Sequence, residues 1–301
     1  MMCSALVFRR SAQFAAAACL FFLLLGCAKP IAQFSAPESA DAYGGVTLTN
    51  QSEKATGYRW NFGDGETSEE ENPTHRYLKS GDYEIVLTAV DEKGKTDRQT
   101  KKISVEAPKR CLILIETPQG NMVAELYDVT SKHQDNFIKL VEQNYFDSLL
   151  FHRVITGFMI QGGDPESRSA AADARLGSGG PGYTVPAEFV DSLAHVKGAL
   201  AAARTNNPQM RSSGSQFYIV DGRPVTEADL NRQESAQNFR YPTSVREEYL
   251  EKGGVPFLDQ QYTVFGRVIE GLDVIDQIAA LPTNGSDRPR TDVWMKVSLI
   301  R

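Results

Sequence analysis

The sequence predicts a mainly β protein built from two consecutive β-rich domains. Residues 31–106 contain several short strand-like runs separated by turn residues, a spacing that is typical of a small β-sandwich. Strand patterns begin again after residue 110 and continue to the end of the chain, with few helix-like patterns between them. Residues 107–110, between the two parts, contain a proline and two cations, which indicates a linker and a plausible hinge.

Residues 1–26 predict a signal peptide. Arg9 and Arg10 precede a short apolar run, 11–25, which is shorter than the roughly 20 residues that a membrane-spanning helix needs. The run ends in Leu24-Leu25-Gly26-Cys27, which resembles the lipobox of bacterial lipoproteins, in which the cysteine receives lipid and becomes the mature N-terminus. An ordinary secretory signal and an uncut membrane anchor are the alternatives.

A lipid on Cys27 implies attachment to a membrane of the bacterial cell envelope. Lys29, the second residue after this cysteine, is not an acidic retention signal, so we expect the outer membrane. Residues 27–36 then form a short tether to the first strand. Removal of the leader leaves Cys111 as the remaining thiol, so no intrachain disulfide can form and the fold must depend on its core.

The composition argues against nucleic acid and metal ions as partners. The formal charge is −6 at pH 7, and it becomes −8 once Arg9 and Arg10 leave with the leader. An acidic protein without a basic tract is a poor match for nucleic acid. None of the four histidines has zinc-type spacing with another histidine or a cysteine, so we expect no metal site.

The first domain, residues 31–106, resembles a PKD-type domain. The hallmark W-x-F-G-D-G is present as Trp60 to Gly65, and the later G-x-Y-x-V-x-L pattern is present as Gly81 to Leu87 with an isoleucine in place of valine. The resemblance implies that Trp60 and Phe62 are core residues and that the aspartate between the glycines forms a turn. We expect a structural spacer; a ligand-binding face is the alternative.

The second domain, residues 111–301, shows alternating strand and helix signals. They predict a hairpin from 111–116 and 121–126, helices at 131–143 and 272–279, and strands at 198–203, 216–220, 264–269 and 293–300. Residues 221–254 are charged and helix-compatible. We expect a surface insertion there, with one or two short helices, a capping box at Ser244–Glu247 and a stop at Gly253-Gly254.

The stretch from Phe151 to Asp164 carries the strongest functional signal. Alternation along a strand points Arg153 to one face of an otherwise apolar run and His152 to the opposite face, so we expect His152 to pack in the core rather than to take part in catalysis. A lone arginine there is costly unless it has a partner or lines a cleft. Gly162-Gly163 then permits a sharp turn or a close backbone approach. A strand whose arginine merely pairs with a carboxylate is the alternative interpretation.

From residue 112 onward the chain resembles a cyclophilin, a peptidyl-prolyl cis–trans isomerase. Three separated motifs carry the resemblance: Phe151-His152-Arg153 with Gly157 to Asp164, Gly214 to Ile219, and Phe257-Leu258-Asp259 with Tyr262 to Gly266. The resemblance implies a closed eight-stranded antiparallel β-barrel with a helix capping each end. It also implies isomerisation of X-Pro bonds without a cofactor.

The resemblance assigns roles position by position. It implies catalytic roles for Arg153 and Gln161 and substrate-binding roles for Phe158, Met159, Ala203, Arg204, Gln216, Tyr218, Phe257, Leu258 and Tyr262. Three positions depart from the best-known members. Tyr218 stands where phenylalanine is common, Phe257 replaces a tryptophan that cyclosporin binding favours, and Tyr262 replaces a histidine of the pocket.

These observations lead to one main functional hypothesis and one alternative. We expect an enzyme that accelerates X-Pro rotation in exported proteins, with proline-containing polypeptides as its partners and the membrane as its anchor through Cys27. The alternative is a chaperone or adhesin that holds proline-containing segments and turns them over incidentally. Arg153 favours the enzyme, because holding alone does not need a donor for a transition state.

Overall fold

The computed structural model describes residues 29–301; the predicted signal peptide and Cys27 lie outside the described residues. The strands are β1 (Phe34–Ser35), β2 (Ser39–Asp41), β3 (Gly45–Thr47), β4 (Thr49–Asn50), β5 (Gly57–Asn61), β6 (Thr67–Ser68), β7 (Thr74–Arg76), β8 (Gly81–Val90), β9 (Thr96–Glu106), β10 (Cys111–Thr117), β11 (Gly120–Leu126), β12 (Leu149–Leu150), β13 (Arg153–Ile155), β14 (Met159–Gly162), β15 (Thr184–Val185), β16 (Ala199–Ala202), β17 (Ser212–Ser213), β18 (Phe217–Val220), β19 (Val264–Glu270) and β20 (Trp294–Ile300). The α-helices are α1 (Ser131–Glu142), α2 (Glu227–Gln237), α3 (Thr243–Lys252) and α4 (Leu272–Ala279). Within residues 29–301, no helix has both the length and the apolar character to cross a bilayer.

The first nine strands form the sandwich that the sequence predicts. A five-stranded sheet in the order β2-β9-β8-β5-β6 is accompanied by the strand pairs β1-β4 and β3-β7. Trp60 and Phe62 are buried in the core, as the motif implied. Asp64 accepts a hydrogen bond from the Glu66 amide at 3.0 Å and contacts His75 Nε2 at 2.7 Å, so this carboxylate organises the turn after β5.

The second domain is built on a nine-stranded sheet in the order β12-β20-β10-β11-β19-β16-β18-β14-β13. The mainly β prediction is therefore confirmed, with nine paired segments where the resemblance implied eight. The two edge strands, β12 and β13, are separated by only Phe151-His152, so the sheet must curl until its edges are neighbours. Helix α1 packs on β20, and α4 packs on β11, β13 and β14.

The two domains share an apolar contact, although the sequence indicated a plausible hinge at 107–110. Side chains of β10 alternate: Ile113 and Ile115 face the core of the second domain, whereas Leu112 packs into the core cluster of the sandwich. Val123 and Ile300 join the same sandwich cluster. The uninterrupted apolar run of β10 therefore has a physical reason, because both of its faces are buried.

Polar contacts surround this apolar contact between the domains. Arg76 Nη1 lies 2.8 Å from Glu270 Oε2, and the Tyr43 hydroxyl donates to the same carboxylate. Both members of the Arg76–Glu270 pair are exposed, so the ion pair itself contributes little to stability. The buried apolar side chains are the stronger link.

The insertion contains two helices, as predicted, but the predicted capping box is wrong. The box lies at α2, where the Thr226 hydroxyl accepts from the Asp229 amide and the Asp229 carboxylate accepts from the Thr226 amide. Helix α3 begins at Thr243 after Pro242, so Ser244 is already inside the first turn and cannot cap it. Gly253, with φ of +75°, ends α3 as predicted.

Candidate active site

The centre of the candidate site is the hairpin formed by β13 and β14. Arg153 and Gln161 are directly opposite each other in this antiparallel pair, so their side chains project from the same face. The turn between the strands depends on Gly157, whose φ is +73° and whose amide donates to Asp221 Oδ2 at 2.6 Å. The hairpin thereby fixes the spacing between the guanidinium and the amide of the predicted catalytic pair.

An open notch of about 180 Å³ lies beside this hairpin. Its walls come from β13, β14, β18, the segment after β16 and the segment around Leu258. The lining residues are Arg153, Phe158, Met159, Gln161, Ala203, Arg204, Tyr218, Leu258 and Tyr262. Nine of the eleven residues to which the resemblance gives catalytic or substrate-binding roles therefore surround one notch.

Arg153 is accessible at the notch. Its side chain is 44% exposed, and Nε lies 3.5 Å from Asp287 Oδ2, which is 45% exposed. Within the described residues, this is the only ion pair of Arg153. A half-exposed pair at this distance does not neutralise the guanidinium, because water screens it. The charge of Arg153 is thus available to a ligand in the notch.

Gln161 and Gln216 form an oriented amide chain at the rim of the notch. Gln161 Nε2 donates to Gln216 Oε1 at 3.0 Å, and Gln216 Nε2 donates to the Gly179 carbonyl at 2.8 Å. Gln216 itself lies outside the notch, in a neighbouring groove of about 520 Å³. Gln161, Ala203 and Arg204 line both spaces, so the notch and the groove are continuous.

Phe257 is the other predicted substrate-binding residue that does not line the notch. Its side chain is 52% exposed, and its ring stacks on Phe158 with the centroids 5.7 Å apart. Phe257 instead borders a separate cavity beside α2. It can therefore affect the notch through Phe158, and it offers a solvent-exposed ring next to the notch.

Arg204 and Tyr262 form a second fixed wall. The Arg204 guanidinium lies over the Tyr262 ring, 4.7 Å from its centroid, and Arg204 Nε donates to the Gln261 carbonyl at 2.8 Å. A cation over an aromatic face attracts the ring electrostatically, so each group restrains the other. The notch therefore has one half-exposed cation, Arg153, and a second cation, Arg204, that is held against an aromatic ring.

Two histidines near these strands are buried away from the notch. His152 is 4% exposed, and this burial lowers its pKa, in agreement with the core role that strand alternation predicts. Burial also lowers the pKa of His133, whose Nδ1 lies 2.6 Å from Glu188 and whose Nε2 lies 3.0 Å from Ser212 Oγ. This second arrangement ties the start of α1 to β17.

Sequence reasoning gave Glu188 no role, and the structure shows a structural one. Its carboxylate accepts from the backbone amides of Lys132 and His133 at the first turn of α1. Burial alone would raise the pKa of Glu188, but the hydrogen bonds from His133 and these amides lower it. No local sequence signal could have revealed this cap, because it lies 55 residues from His133 along the chain.

Sequence reasoning also missed His195, whose Nε2 lies 2.9 Å from the hydroxyl of Tyr218 in the wall of the notch. Among residues 29–301, no three or more His, Cys, Asp or Glu side chains are grouped so that they could hold a metal ion. The arrangement offers a cation and amide groups beside apolar and aromatic walls.

Comparison with known proteins gives matches to both domains. Residues 112–298 match the family model of the cyclophilin type peptidyl-prolyl cis-trans isomerase/CLD, and residues 27–105 match that of the PKD domain. A putative peptidyl-prolyl cis-trans isomerase of Staphylococcus epidermidis is 35% identical over 182 residues, which are 60% of this chain and 87% of that protein.

A second relative is a putative bifunctional phosphatase/peptidyl-prolyl cis-trans isomerase of Streptococcus pyogenes, 33% identical over 213 residues. The match covers 69% of this chain and 43% of that longer protein, so the chain spans less than half of it. A crystal structure of a Cryptosporidium parvum cyclophilin type peptidyl-prolyl cis-trans isomerase covers 63% of this chain and 97% of its own, with 22% identity and a TM-score of 0.47.

Proposed function

The chain belongs to the family of cyclophilin-type peptidyl-prolyl cis–trans isomerases, and we propose that it accelerates X-Pro bond rotation in exported proteins at the bacterial cell envelope. The observation that carries the proposal is the half-exposed guanidinium of Arg153 beside a notch with apolar and aromatic walls. Proline-containing segments of polypeptides are its substrates.

The reaction needs a group that binds the twisted peptide bond better than the planar one. Amide resonance sets a rotation barrier of about 18–20 kcal/mol, and uncatalysed X-Pro rotation takes tens to hundreds of seconds. Twisting breaks the resonance and leaves a lone pair on the proline nitrogen. A donor that meets this lone pair stabilises the twisted state selectively, which accelerates the reaction.

Arg153 has the chemical properties of that donor. A guanidinium remains charged at all physiological pH values and presents several N–H groups from a rigid plane. Phe158, Met159 and Leu258 supply apolar surface against which a pyrrolidine ring can pack. Gln161, opposite Arg153 in the hairpin, can hydrogen-bond the peptide backbone while the preceding carbonyl rotates.

The acceleration that such a site can give follows from the energies involved. Lowering the barrier by roughly 5–8 kcal/mol corresponds to about 10⁴–10⁶-fold acceleration. No bond is made or broken in this account. Binding and electrostatic stabilisation by the chain's own side chains are therefore sufficient for the reaction.

A protease-coupled assay with a proline peptide tests the proposal on the full chain. The wild type should isomerise the peptide well above the uncatalysed rate, and Arg153→Ala should lose about 10²–10³-fold in kcat/KM, the usual cost of removing one transition-state donor. Arg267→Ala is the matched control, because Arg267 is a half-exposed arginine on β19 outside the notch. Wild-type and Arg153→Ala rates that both match the uncatalysed rate would refute the enzymatic role and favour the proline-binding chaperone. Equal rates above the uncatalysed rate would refute the role of Arg153 as the donor.

The envelope location has its own support and its own test. Its support is the sequence pattern of a basic start, a short apolar run and Cys27 at the end of that run. Wild-type cells should incorporate labelled fatty acid into the protein, whereas Cys27→Ala should incorporate none. Labelling of the Cys27→Ala protein would refute lipid attachment at this residue.

A further inference from the structure

A chain of buried polar side chains connects the notch to the helical insertion. It begins at Tyr218 in the notch wall, passes through His195 and Asp259, and ends at Tyr241 and Tyr249 of the insertion. The Tyr218 hydroxyl lies 2.9 Å from His195 Nε2, and His195 Nδ1 lies 2.6 Å from Asp259 Oδ1. The hydroxyls of Tyr241 and Tyr249 each lie 2.5 Å from Asp259 Oδ2. All five side chains are buried.

The hydrogen bonds of this chain have one consistent direction. Burial raises the pKa of all three tyrosines, so their hydroxyls remain protonated and can donate. Tyr241 and Tyr249 donate to Asp259, which also accepts from the backbone amide and from Nδ1–H of His195. In the tautomer that places the proton on Nδ1, Nε2 is an acceptor, and the Tyr218 hydroxyl, 2.9 Å away, donates to it.

Tyr218 is therefore held at both ends. Its ring forms a wall of the notch and meets the Tyr262 ring edge-on, with 6.0 Å between centroids and 79° between planes. Its hydroxyl forms a hydrogen bond with His195, so the oxygen that distinguishes this tyrosine from a phenylalanine anchors the ring. A phenylalanine at this position would lack that anchor.

The insertion supplies the far end of the anchor. The insertion packs through an apolar cluster against Ala194 and Val196, the two chain neighbours of His195. The residues that the insertion contributes to this cluster are Val225, Leu230, Tyr241, Val245 and Tyr249. A buried carboxylate is costly unless donors satisfy it, and the insertion provides two of the four hydrogen bonds to Asp259. The insertion thereby fixes Asp259, and Asp259 fixes the imidazole.

We propose that His195 is a positioning residue that holds the Tyr218 wall of the notch, and that the insertion sets the shape of the notch through Asp259. This inference rests on the proposed isomerase function. His195 itself is fully buried and does not line the notch, so it acts on the substrate only through Tyr218. The insertion of residues 221–254 is then part of the specificity machinery for the residue types that fit beside proline.

A double-mutant cycle across the Tyr218–His195 hydrogen bond tests the proposal. Tyr218→Phe removes the donor. His195→Asn places an amide nitrogen near the position of Nδ1, so it keeps a donor for Asp259 but loses the acceptor at Nε2. Each single variant should lower kcat/KM and the affinity for a proline peptide by about three- to tenfold, the value of one buried hydrogen bond. The double variant should be no worse than the poorer single variant.

Tyr145→Phe is the matched control, because the Tyr145 hydroxyl is buried and has no hydrogen-bond partner among residues 29–301, and this variant should leave both quantities unchanged. Multiplicative losses in the double variant, or no loss in either single variant, would overturn the proposal. If His195→Asn does not fold, the same cycle with Tyr249→Phe decides, because that loss should also disappear in the Tyr218→Phe background.

The two hypotheses fail in different ways. A wild-type protein without isomerase activity would refute the proposed function, while the peptide affinities would still measure whether His195 acts through Tyr218. An active wild type whose single variants match it in rate and affinity would refute the positioning role alone.

Discussion

The contact between the domains leads to a prediction with a definite magnitude. Leu112 is 2% exposed because it packs into the sandwich core from the second domain. Truncation of a buried leucine to alanine costs about 2–5 kcal/mol, since the transfer free energy is lost and a cavity remains. If the domains instead moved independently in solution, Leu112 would face water, and the same change would cost within about 0.5 kcal/mol. We therefore expect Leu112→Ala to destabilise the full chain by about 2–4 kcal/mol.

Urea unfolding followed by tryptophan fluorescence measures this effect in each domain. The chain has two tryptophans: Trp60 is buried in the sandwich core, and Trp294 is half-exposed on β20 of the second domain. Single-tryptophan proteins therefore report on one domain at a time. Leu250→Ala is the matched control, because Leu250 is 43% exposed on α3 and the same truncation should have almost no effect there.

Equal unfolding free energies for Leu112→Ala, Leu250→Ala and the wild type would mean that the apolar contact does not persist in solution. Residues 107–110 would then act as the hinge that the sequence indicated. A loss seen with both tryptophan probes would instead show that the two domains stabilise each other.

Three further predictions concern stability and the notch. Burial lowers the pKa of His133 and His152, so below pH 6.5, the ordinary histidine pKa, the folded state binds fewer protons than the unfolded state. The free energy of unfolding should therefore be highest above pH 6.5 and should decrease from pH 6.5 to 5 in urea titrations. A urea midpoint that stays constant over this range would contradict this prediction. Gly163→Ala should destabilise the protein by more than about 2 kcal/mol, because the φ of Gly163 is +88° and a Cβ would lie 2.2 Å from the Ser215 carbonyl oxygen. Gly182→Ala is the control: its φ is +85° but the space around it is open, so the change should cost only about 1–2 kcal/mol. Equal losses of stability in the two variants would refute the steric explanation. Asp287→Asn should change the free energy of unfolding by less than about 1 kcal/mol and kcat/KM by less than about twofold, because the ion pair between Asp287 and Arg153 is half-exposed. A much larger loss of stability or of kcat/KM would mean that Arg153 serves mainly as an ion-pair partner.

The resemblance to the cyclophilins, carried by three short motifs, predicted most of the candidate site. Period-two alternation placed Arg153 and His152 on opposite faces, and the structure has the first at the notch and the second buried. The hairpin of β10 and β11 and the helices α1 and α4 follow the same kind of local signal. Gln216 and Phe257 are the two exceptions: Gln216 lines the neighbouring groove, and Phe257 borders the cavity beside α2.

Features that depend on distant residues could not be predicted in this way. The link from Tyr218 to His195 and Asp259 joins positions up to 64 residues apart, and no single segment shows that these side chains meet. The capping box was misplaced because Ser244–Glu247 and Thr226–Asp229 both carry the spacing of a hydroxyl and an acidic residue. The decisive factor is where α3 begins, and Pro242 sets that point.

The central claim is that the charge of Arg153 stabilises the twisted peptide bond rather than the bound peptide. Exchange spectroscopy on a proline peptide at equilibrium measures the cis–trans rate and the affinity in one sample, with wild type and Arg153→Gln compared. The account predicts that the exchange rate falls by about 10²–10³-fold while the affinity changes by less than about threefold. An exchange rate equal to that of the wild type, or a loss confined to affinity, would contradict it.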